Sequence, residues 1–565
     1  MLTRGLTSTD GVFSSSAELQ AANVKINSMV AINDGASVLF YKVGNSDLGS
    51  ATILNNGLFA NPVTADTTFP TTTQLINGAR PLKTGDIIET SGYANPGDGG
   101  GAKWKVTGNT ITASQTPLAT VKGAISDASG KEYVIIDDTI IVNQLGCLPT
   151  ATATNNVSAL KACAGEANIR GGCNILFEAA KTYNIFSTGT IPPGNSPLMA
   201  FSSLSYVKID YRGATLNFEA TFSGADTVDI HKFTSCDNIE IVNCIITSIA
   251  EIPAERGDRG IIFASYLQGC KNINASNNKQ TGGKNGHLFL RNPIASDPLS
   301  YKSSNANINH ETINVGYPLT AAYSGDNLEA TIISDGALRS YYPYGVENHN
   351  IKVISKNHIS DDCLLTAETF STTETTERKL NNINLDYTNI ERTVSDSANP
   401  CITVRFVGTN TGTMNNINIK YNCKNDATYP LGKIVYMLKQ SNFGVTDTIA
   451  RAHIIRGIKI SGVLDGANSG QQVLDLMNDG SWTSGDFTRG FTVEDTVVTG
   501  NTAATATILA DSVIDRVNIE NVTFSGDLTV SGTYQIGVNY RNVLANNQSR
   551  DVTFIDSVGG AHGLT

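Results

Sequence analysis

The chain has 565 residues, far beyond the roughly 150 at which one compact core is comfortable, so it holds several modules or one elongated repeat. Charged residues make up 16% and hydrophobic residues 40%, a balance that excludes a disordered chain. With 40 Lys and Arg against 51 Asp and Glu, the formal charge is -11; phosphate backbones and anionic membranes are repelled on average, so no nucleic-acid partner is expected.

The nine cysteines form no CxxC pair and no zinc-type spacing, and read as buried thiols rather than a disulfide framework or a metal site. The N-terminal MLTRGLTSTDGVFSSS lacks an apolar core, and no run of about eighteen apolar residues occurs, so neither a signal peptide nor membrane insertion is expected. Synthesis in a cytoplasm follows, with any action outside reached by a route other than secretion.

Residues 1–80 mix Ser, Thr, Asn and Gly with one weakly amphipathic segment. Leu19, Val24, Ile26 and Met29 there suggest a short helix between Ala17 and Val30. Residues 81–139 read as a small β domain: a strand at Asp86 to Glu89, a glycine-rich turn at Asn95 to Gly101, and a second strand at Ala102 to Val106. From residue 140 a short strand with alternating apolar residues recurs, introduced by Asn or Gly: DNIEIVNC from Asp237, KNINASNN from Lys271, HNIKVISKN from His349, NNINLDYTN from Asn381, NNINIKYNC from Asn415, RGIKISGVL from Arg456, RGFTVEDT from Arg489 and RVNIENVTF from Arg516. The starts lie mostly about 30 to 40 residues apart, a solenoid period. Such a unit closes no core alone; stacking sets inward Ile, Val and Leu on those of the next turn and leaves Lys, Asn, Asp and Thr wet. The turn asparagines fit, because Asn tolerates left-handed φ and bonds locally. One helical stripe, Val157, Leu160, Cys163 and Ala164 between Asn155 and Asn168, is placed to cover the open end of the first coil.

Three signals in order resemble bacteriophage tailspike proteins of the pectate-lyase-like β-helix kind: GYANPGDGGGAKWKV from Gly92, then IIVNQLGC from Ile140 with the helix and strand from Thr154 to Ile185, then the repeats. The resemblance covers about residues 85 to 540. The expected fold is all-β: a right-handed parallel β-helix over 140–540, preceded by the small domain at 81–139 and an N-terminal region at 1–80, and followed by a C-terminal end at 541–565. Family resemblance further implies a homotrimer on the virion, attached to the phage tail or baseplate through residues 1–80, acting on a bacterial surface polysaccharide. Capsule or O-antigen depolymerisation by glycoside hydrolysis is the expected function. A spike that binds glycan without cutting it, a polysaccharide lyase and a host-encoded pectin-type enzyme are the alternatives.

The densest window in catalytic residue types runs from Leu338 to Glu368. Glycoside hydrolysis needs two carboxyl groups flanking the bond, and neighbouring carboxylates raise one another's pKa, as a general acid requires. Asp361-Asp362-Cys363 resembles the Asp-Asp-Cys element of the polygalacturonase branch of β-helices, although no Asn-Thr-Asp precedes it, no Gly-His-Gly follows and no Arg-Ile-Lys appears later. Asp361 and Asp362 are the candidate acid or base and Glu347 the candidate partner carboxylate, with Asp326 and Glu368 in reserve. Arg339 offers a planar fork and Tyr341, Tyr342 and Tyr344 offer ring faces to a sugar; His358 and Glu368 complete the candidate binding residues. Against this stands the plain reading: turn carboxylates capping backbone amides, a surface histidine on a carbonyl, and half-buried tyrosines. Lys284, His287 and Arg291 form a candidate basic patch. The late turns with Asp465, Asp475 and Asp479 show no comparable mixture. No Walker A loop, HExxH, Gly-x-Ser-x-Gly elbow or Rossmann fingerprint occurs, and no cofactor or metal is expected.

Overall fold

The computed structural model describes residues 12–13, 19, 29–33, 38–44, 52–53, 59–62, 68–78, 82–110, 124–186, 197–219, 227–248, 260–290, 302–368, 378–390, 399–407, 412–426, 428–440, 454–476, 487–546, 548–550, 553–554 and 560–564. The chain divides into two units, one of residues 1–137 and 143–146, the other of residues 138–142 and 147–565.

The first unit holds two five-stranded sheets. One orders its strands Val12–Phe13, Met29–Asn33, Val38–Gly44, Phe59–Pro62 and Thr52–Ile53. Of the helix expected between Ala17 and Val30, three residues are described: Leu19 is helical, and Met29 and Val30 open a strand antiparallel to Val38–Gly44. The run Met-Val-Ala-Ile-Asn finds a cross-strand partner there, which outweighs its weak helical spacing. Val24 and Ile26 lie outside the described residues.

In the second sheet Ile87–Thr90 pairs antiparallel with Lys103–Thr110, which pairs with Lys131–Ile135, and the fully buried Trp104 and Tyr133 anchor it. The glycine-rich turn folds around Asp98, whose carboxylate accepts from the backbone N–H of Tyr93, Ala94, Asn95 and Gly100 at 2.7–2.9 Å. Partial burial works to raise its pKa, and the four N–H donors outweigh that and hold it below the usual carboxylate range.

The second unit is a parallel β-helix. Its strands run from Thr139–Ile141 to Gly560–Leu564 in one continuous ladder, with all pairings before the C-terminal end parallel. Early coils carry three strands, as in Tyr206–Asp210, Thr215–Phe218 and Thr227–Thr234, and each pairs with its equivalent one coil on: Asp237–Val242, Ile245–Ser248 and Gly260–Gln268. The three columns so formed are sheets A, B and C. From Lys271–Thr281 onward the A and B strands fuse. The coil starts at Ser304 and Asp326, passed over in the repeat pattern, give steps of 22 and 21 residues, against 33 or 34 around them.

One position fixes the register. One stacked residue near the start of the A strand is left-handed in coil after coil: Asn238, Asn272, Asn305, Asn327, Asn348, Asn382 and Asn416, then Gly457 and Gly490, with φ between 48° and 66°. A Cβ costs about 1–2 kcal/mol in this conformation, least for Asn and nothing for Gly. The amides bond to one another along the axis: Asn348 donates to Asn327 at 2.9 Å, Asn382 to Asn348 at 2.8 Å and Asn416 to Asn382 at 3.0 Å. The side chains thus pair mainly with the next asparagine rather than with backbone.

The helix Ala153–Arg170 lies on the strands of the first coil. Thr152 caps its start and left-handed Gly171 its end. Val157, Leu160, Cys163 and Ala164 are buried beneath it, and Asn156 and Asn168 bond the carbonyls of Asn184 and Ala200. At the far end Gln548–Arg550, Thr553–Phe554 and Gly560–Leu564 fold back antiparallel on Asp527–Ala545, covering the last strand's open edge.

All nine cysteines are buried and free. His231, His287 and His310 lie wholly buried around Phe263, with ring centroids 4.8–5.3 Å apart in the four close pairs. Burial lowers the pKa of His231 to about 4 and of His310 to about 3, and holds that of His287 well below its usual value. This corrects the expected basic patch: His287 is a neutral core residue, because its position in the sheet C strand Asn285–Leu290 points inward; Arg291 lies outside the described residues.

Candidate functional site

Each coil turns from sheet B into sheet C through a corner that varies in length and sequence. Two successive corners stack: Asp335 to Ser340 leads into Tyr341–Tyr344, and Lys356 to Asp362 leads into Cys363–Glu368. Tyr341 pairs with Cys363 and Ala337 bridges His358, so Arg339 stands over Asp361 and Ser340 over Asp362. The ion pair of Arg339 Nη2 with Asp361 Oδ2 spans 3.9 Å, with side chains 12% and 22% exposed. The guanidinium carbon lies 5.3 Å from the centroid of the Tyr342 ring, and Nε is buried without a hydrogen-bond partner. Tyr317 one coil back extends the aromatic surface, 6.4 Å from Tyr342. Alternation in the sheet C strand turns Tyr342 outward and Tyr341 inward, where the Tyr341 hydroxyl meets His349 Nδ1 at 2.8 Å.

Arg339, Asp361 and Tyr342 are therefore brought together on the outer face, and the other expected residues are not. Asp362 is wholly buried: its Oδ1 accepts from the Ser340 hydroxyl, which also touches Ser334 Oγ at 2.6 Å inside the coil. Adjacent acids at a turn-to-strand junction fall on opposite sides of the wall, which removes Asp362 from any groove in this conformation. Glu347 begins the next sheet A strand, beyond the whole sheet C strand. Five extended residues between the two corners put it about 17 Å away, where a glycosidase pair needs roughly 5–9.5 Å. It is fixed there structurally: Glu347 Oε1 accepts from Asn381 Nδ2 at 3.1 Å, and Glu347 N donates to Asp326 Oδ1 at 3.1 Å. Asp326 pairs in turn with Lys302, and burial raises its pKa in spite of that cation.

Tyr344 is 8% exposed and packs edge-on against Tyr323 at 5.2 Å, so it presents little ring face. His358 is 2% exposed within the corner and is no surface contact. Glu368 ends the sheet C strand in register with Val407; its side chain is outside the described set.

A second cluster on the same outer face was invisible in the sequence. Lys433 Nζ lies 3.9 Å from the centroid of the Tyr436 ring and pairs with Asp475. Asp475 is 4% exposed, and its Oδ1 has no hydrogen-bond partner. Tyr342 leads down the sheet to Leu364, Thr403, Tyr436 and Asp475 in register. Three coil steps separate the two cation-on-tyrosine pairs, about 14 Å at one strand spacing per coil. Lys433 and Asp475 are 42 residues apart, and only the coil register joins them. Among the described residues no group of three His, Cys, Asp or Glu is placed to hold a metal ion, and no helix is long and apolar enough to cross a membrane.

Fold and site together define a parallel β-helix protein with cation, aromatic and carboxylate clusters spaced along one outer sheet. No family model and no curated sequence matches the chain. Among solved structures it is similar to the tailspike protein gp49 from Acinetobacter baumannii bacteriophage Fri1, a capsular polysaccharide depolymerase, at 10% identity over 86% of this chain and 76% of that one, with a TM-score of 0.35. It is similar also to the tailspike of Acinetobacter baumannii phage AM24, at 9% identity over 84% and 65% with a TM-score of 0.31, and to WceF of Pantoea stewartii, a glycan biofilm modifying enzyme with a tailspike-like parallel β-helix, at 11% over 89% and 55% with a TM-score of 0.22. Likeness at this level adds nothing to the coil-by-coil register from which the fold is read.

Proposed function

We propose that the protein is a phage tailspike whose sheet C outer face binds and depolymerises a bacterial surface polysaccharide. The observation that carries the reading is the stacked corner at Arg339 and Asp361 beside Tyr342. A partly exposed guanidinium, a ring face and a carboxylate within one coil of each other suit a sugar's hydroxyls, apolar face and glycosidic oxygen respectively. Lys433 with Tyr436 repeats the first two elements further along the sheet, as a chain of sugars would use them. Asp361 is assigned as the acid or base of a hydrolase. Asp335, on the same corner one coil back and held by Asn357 Nδ2 at 2.8 Å, takes over from Glu347 as the proposed partner carboxylate. A homotrimer on the virion, attached through residues 1–80, belongs to the same reading.

The cluster around Arg339 also favours one second reading. An arginine beside a tyrosine matches a lyase, in which Arg339 neutralises a uronate, Tyr342 removes its α-proton and the glycosidic oxygen leaves with the departing sugar. Incubation with surface polysaccharides from a strain panel that includes the host separates the readings by product mass. Oligosaccharides at hydrated masses support the hydrolase, and dehydrated masses the lyase. Binding without products on the host polymer overturns both in favour of a purely adhesive spike.

A further inference from the structure

We propose that the inner corner of sheets B and C at Asp362 is a binding site for a monovalent alkali cation. The inference is independent of the glycan reading, because it concerns the interior of the coil stack.

The corner is built by translation along the solenoid. The inward residues closing successive B strands are Ser334, Ser355 and Asn389, in register; those opening successive C strands are Ser340, Asp362 and Cys401. At the first level the two columns touch, Ser334 Oγ to Ser340 Oγ at 2.6 Å. One coil on, the register sets Ser355 opposite Asp362, and no hydrogen bond closes the gap between them. Asp362 Oδ1 is taken by Ser340, while three oxygens of this corner, Asp362 Oδ2, Ser355 Oγ and Asn389 Oδ1, are buried with no hydrogen-bond partner.

A carboxylate removed from water is costly without a counter-charge, and no ion pair reaches Asp362 among the described residues. The available donors suit one kind of ligand. Thiolate, imidazole or several carboxylates would mark zinc or calcium. One carboxylate with neutral hydroxyl and amide oxygens instead balances a single positive charge and offers the hard oxygen ligands that sodium and potassium take in buried sites. The asparagine carbonyl is oriented for this role, since Asn389 Nδ2 is directed at the Ser355 carbonyl, 3.5 Å away, leaving Oδ1 to face away from that donor.

The test is a thermal melt of the whole protein in lithium, sodium, potassium, rubidium and choline chloride at equal ionic strength, for the wild type, Asp362→Asn and Ser355→Ala. At least one alkali chloride is expected to raise the melting temperature by several degrees over choline. Asp362→Asn is expected to abolish that difference and Ser355→Ala to reduce it; should Asp362→Asn fail to fold, Ser355→Ala carries the comparison. Coincident melts in all five salts overturn the site, as does an alkali effect that survives in both variants. For a potassium-sized preference, crystals grown in rubidium chloride are expected to show an anomalous peak among Asp362, Ser355 and Asn389, and its absence there overturns the assignment.

Discussion

The two corners that flank sheet C are built on opposite principles. At the entry to sheet A the chain repeats itself: Asn in seven coils and Gly in two more, all left-handed, with amides stacked along the axis. At the described entries to sheet C no such column forms. Stacked positions hold Ser340, Asp362 and Cys401, and the outward neighbours of the first two are Arg339 and Asp361. The backbone dictates the residue at the first corner and leaves it free at the second, so uniformity marks the part that holds the solenoid together and variety marks the part available for chemistry.

Acidification tests the structural corner most severely. His349 backs the asparagine column, wholly buried between the Tyr341 hydroxyl and the Gly325 carbonyl, with its pKa lowered to about 3 by burial. His231 and His310 are lowered likewise, to about 4 and about 3. Each folded-state pKa lies below the unfolded value near 6.5, so between these limits the unfolded chain binds more protons and stability falls as pH falls. From pH 7 to pH 4 each group is expected to cost ~3 kcal/mol. Denaturant titrations at the two pH values measure the sum, and His310→Leu is expected to lose less stability on acidification than the wild type.

At the variable corner, Asp361→Asn is expected to lower the rate of polysaccharide cleavage by about 10²–10⁴-fold, the usual worth of a general acid or base. Its melting temperature should stay unchanged, since the ion pair with Arg339 is long and partly solvated. At the uniform corner the converse is expected. Asn348→Ala removes the side-chain amide that makes φ 59° tolerable and breaks the amide bonds to Asn327 and Asn382, a loss of ~2–3 kcal/mol in unfolding free energy with cleavage intact below the melt. Asn348→Gly should recover the conformational part of that loss and keep the hydrogen-bond part. The smallest effect belongs to Arg339→Lys, which keeps the charge and loses the planar fork; about tenfold weaker glycan binding is expected by calorimetry.

Much of the fold was legible because the left-handed corner leaves a written mark. The Asn or Gly before an alternating Ile, Val or Leu run announces each coil, and Thr152 with Gly171 brackets a helix whose stripe is explicit. The coil start at Asp326 escaped because it stands 22 residues after one start and 21 before the next, outside the period expected; the start at Ser304 follows the one before it by 33 residues and was passed over all the same. The site was legible only in part. Composition alone pointed to the Leu338 to Glu368 window, and Arg339, Asp361 and Tyr342 do converge there. Adjacent Asp361 and Asp362 could not be told apart, since which of two neighbours faces water depends on how the corner meets the strand. Glu347 lay near in sequence yet across a full strand, and Lys433 with Asp475 lay far in sequence yet side by side, because neighbours in a solenoid are set by the coil rather than by the chain.

The most direct test compares Asp361→Asn with Asp362→Asn on the host polysaccharide, reading oligosaccharide release by mass spectrometry and folding by thermal melt on the same samples. Release is expected to collapse in Asp361→Asn with an unchanged melt, and to persist in Asp362→Asn while its melt shifts. Release lost in Asp362→Asn at an unchanged melt, with Asp361→Asn still active, would contradict the assignment of the chemistry to the outer face of sheet C.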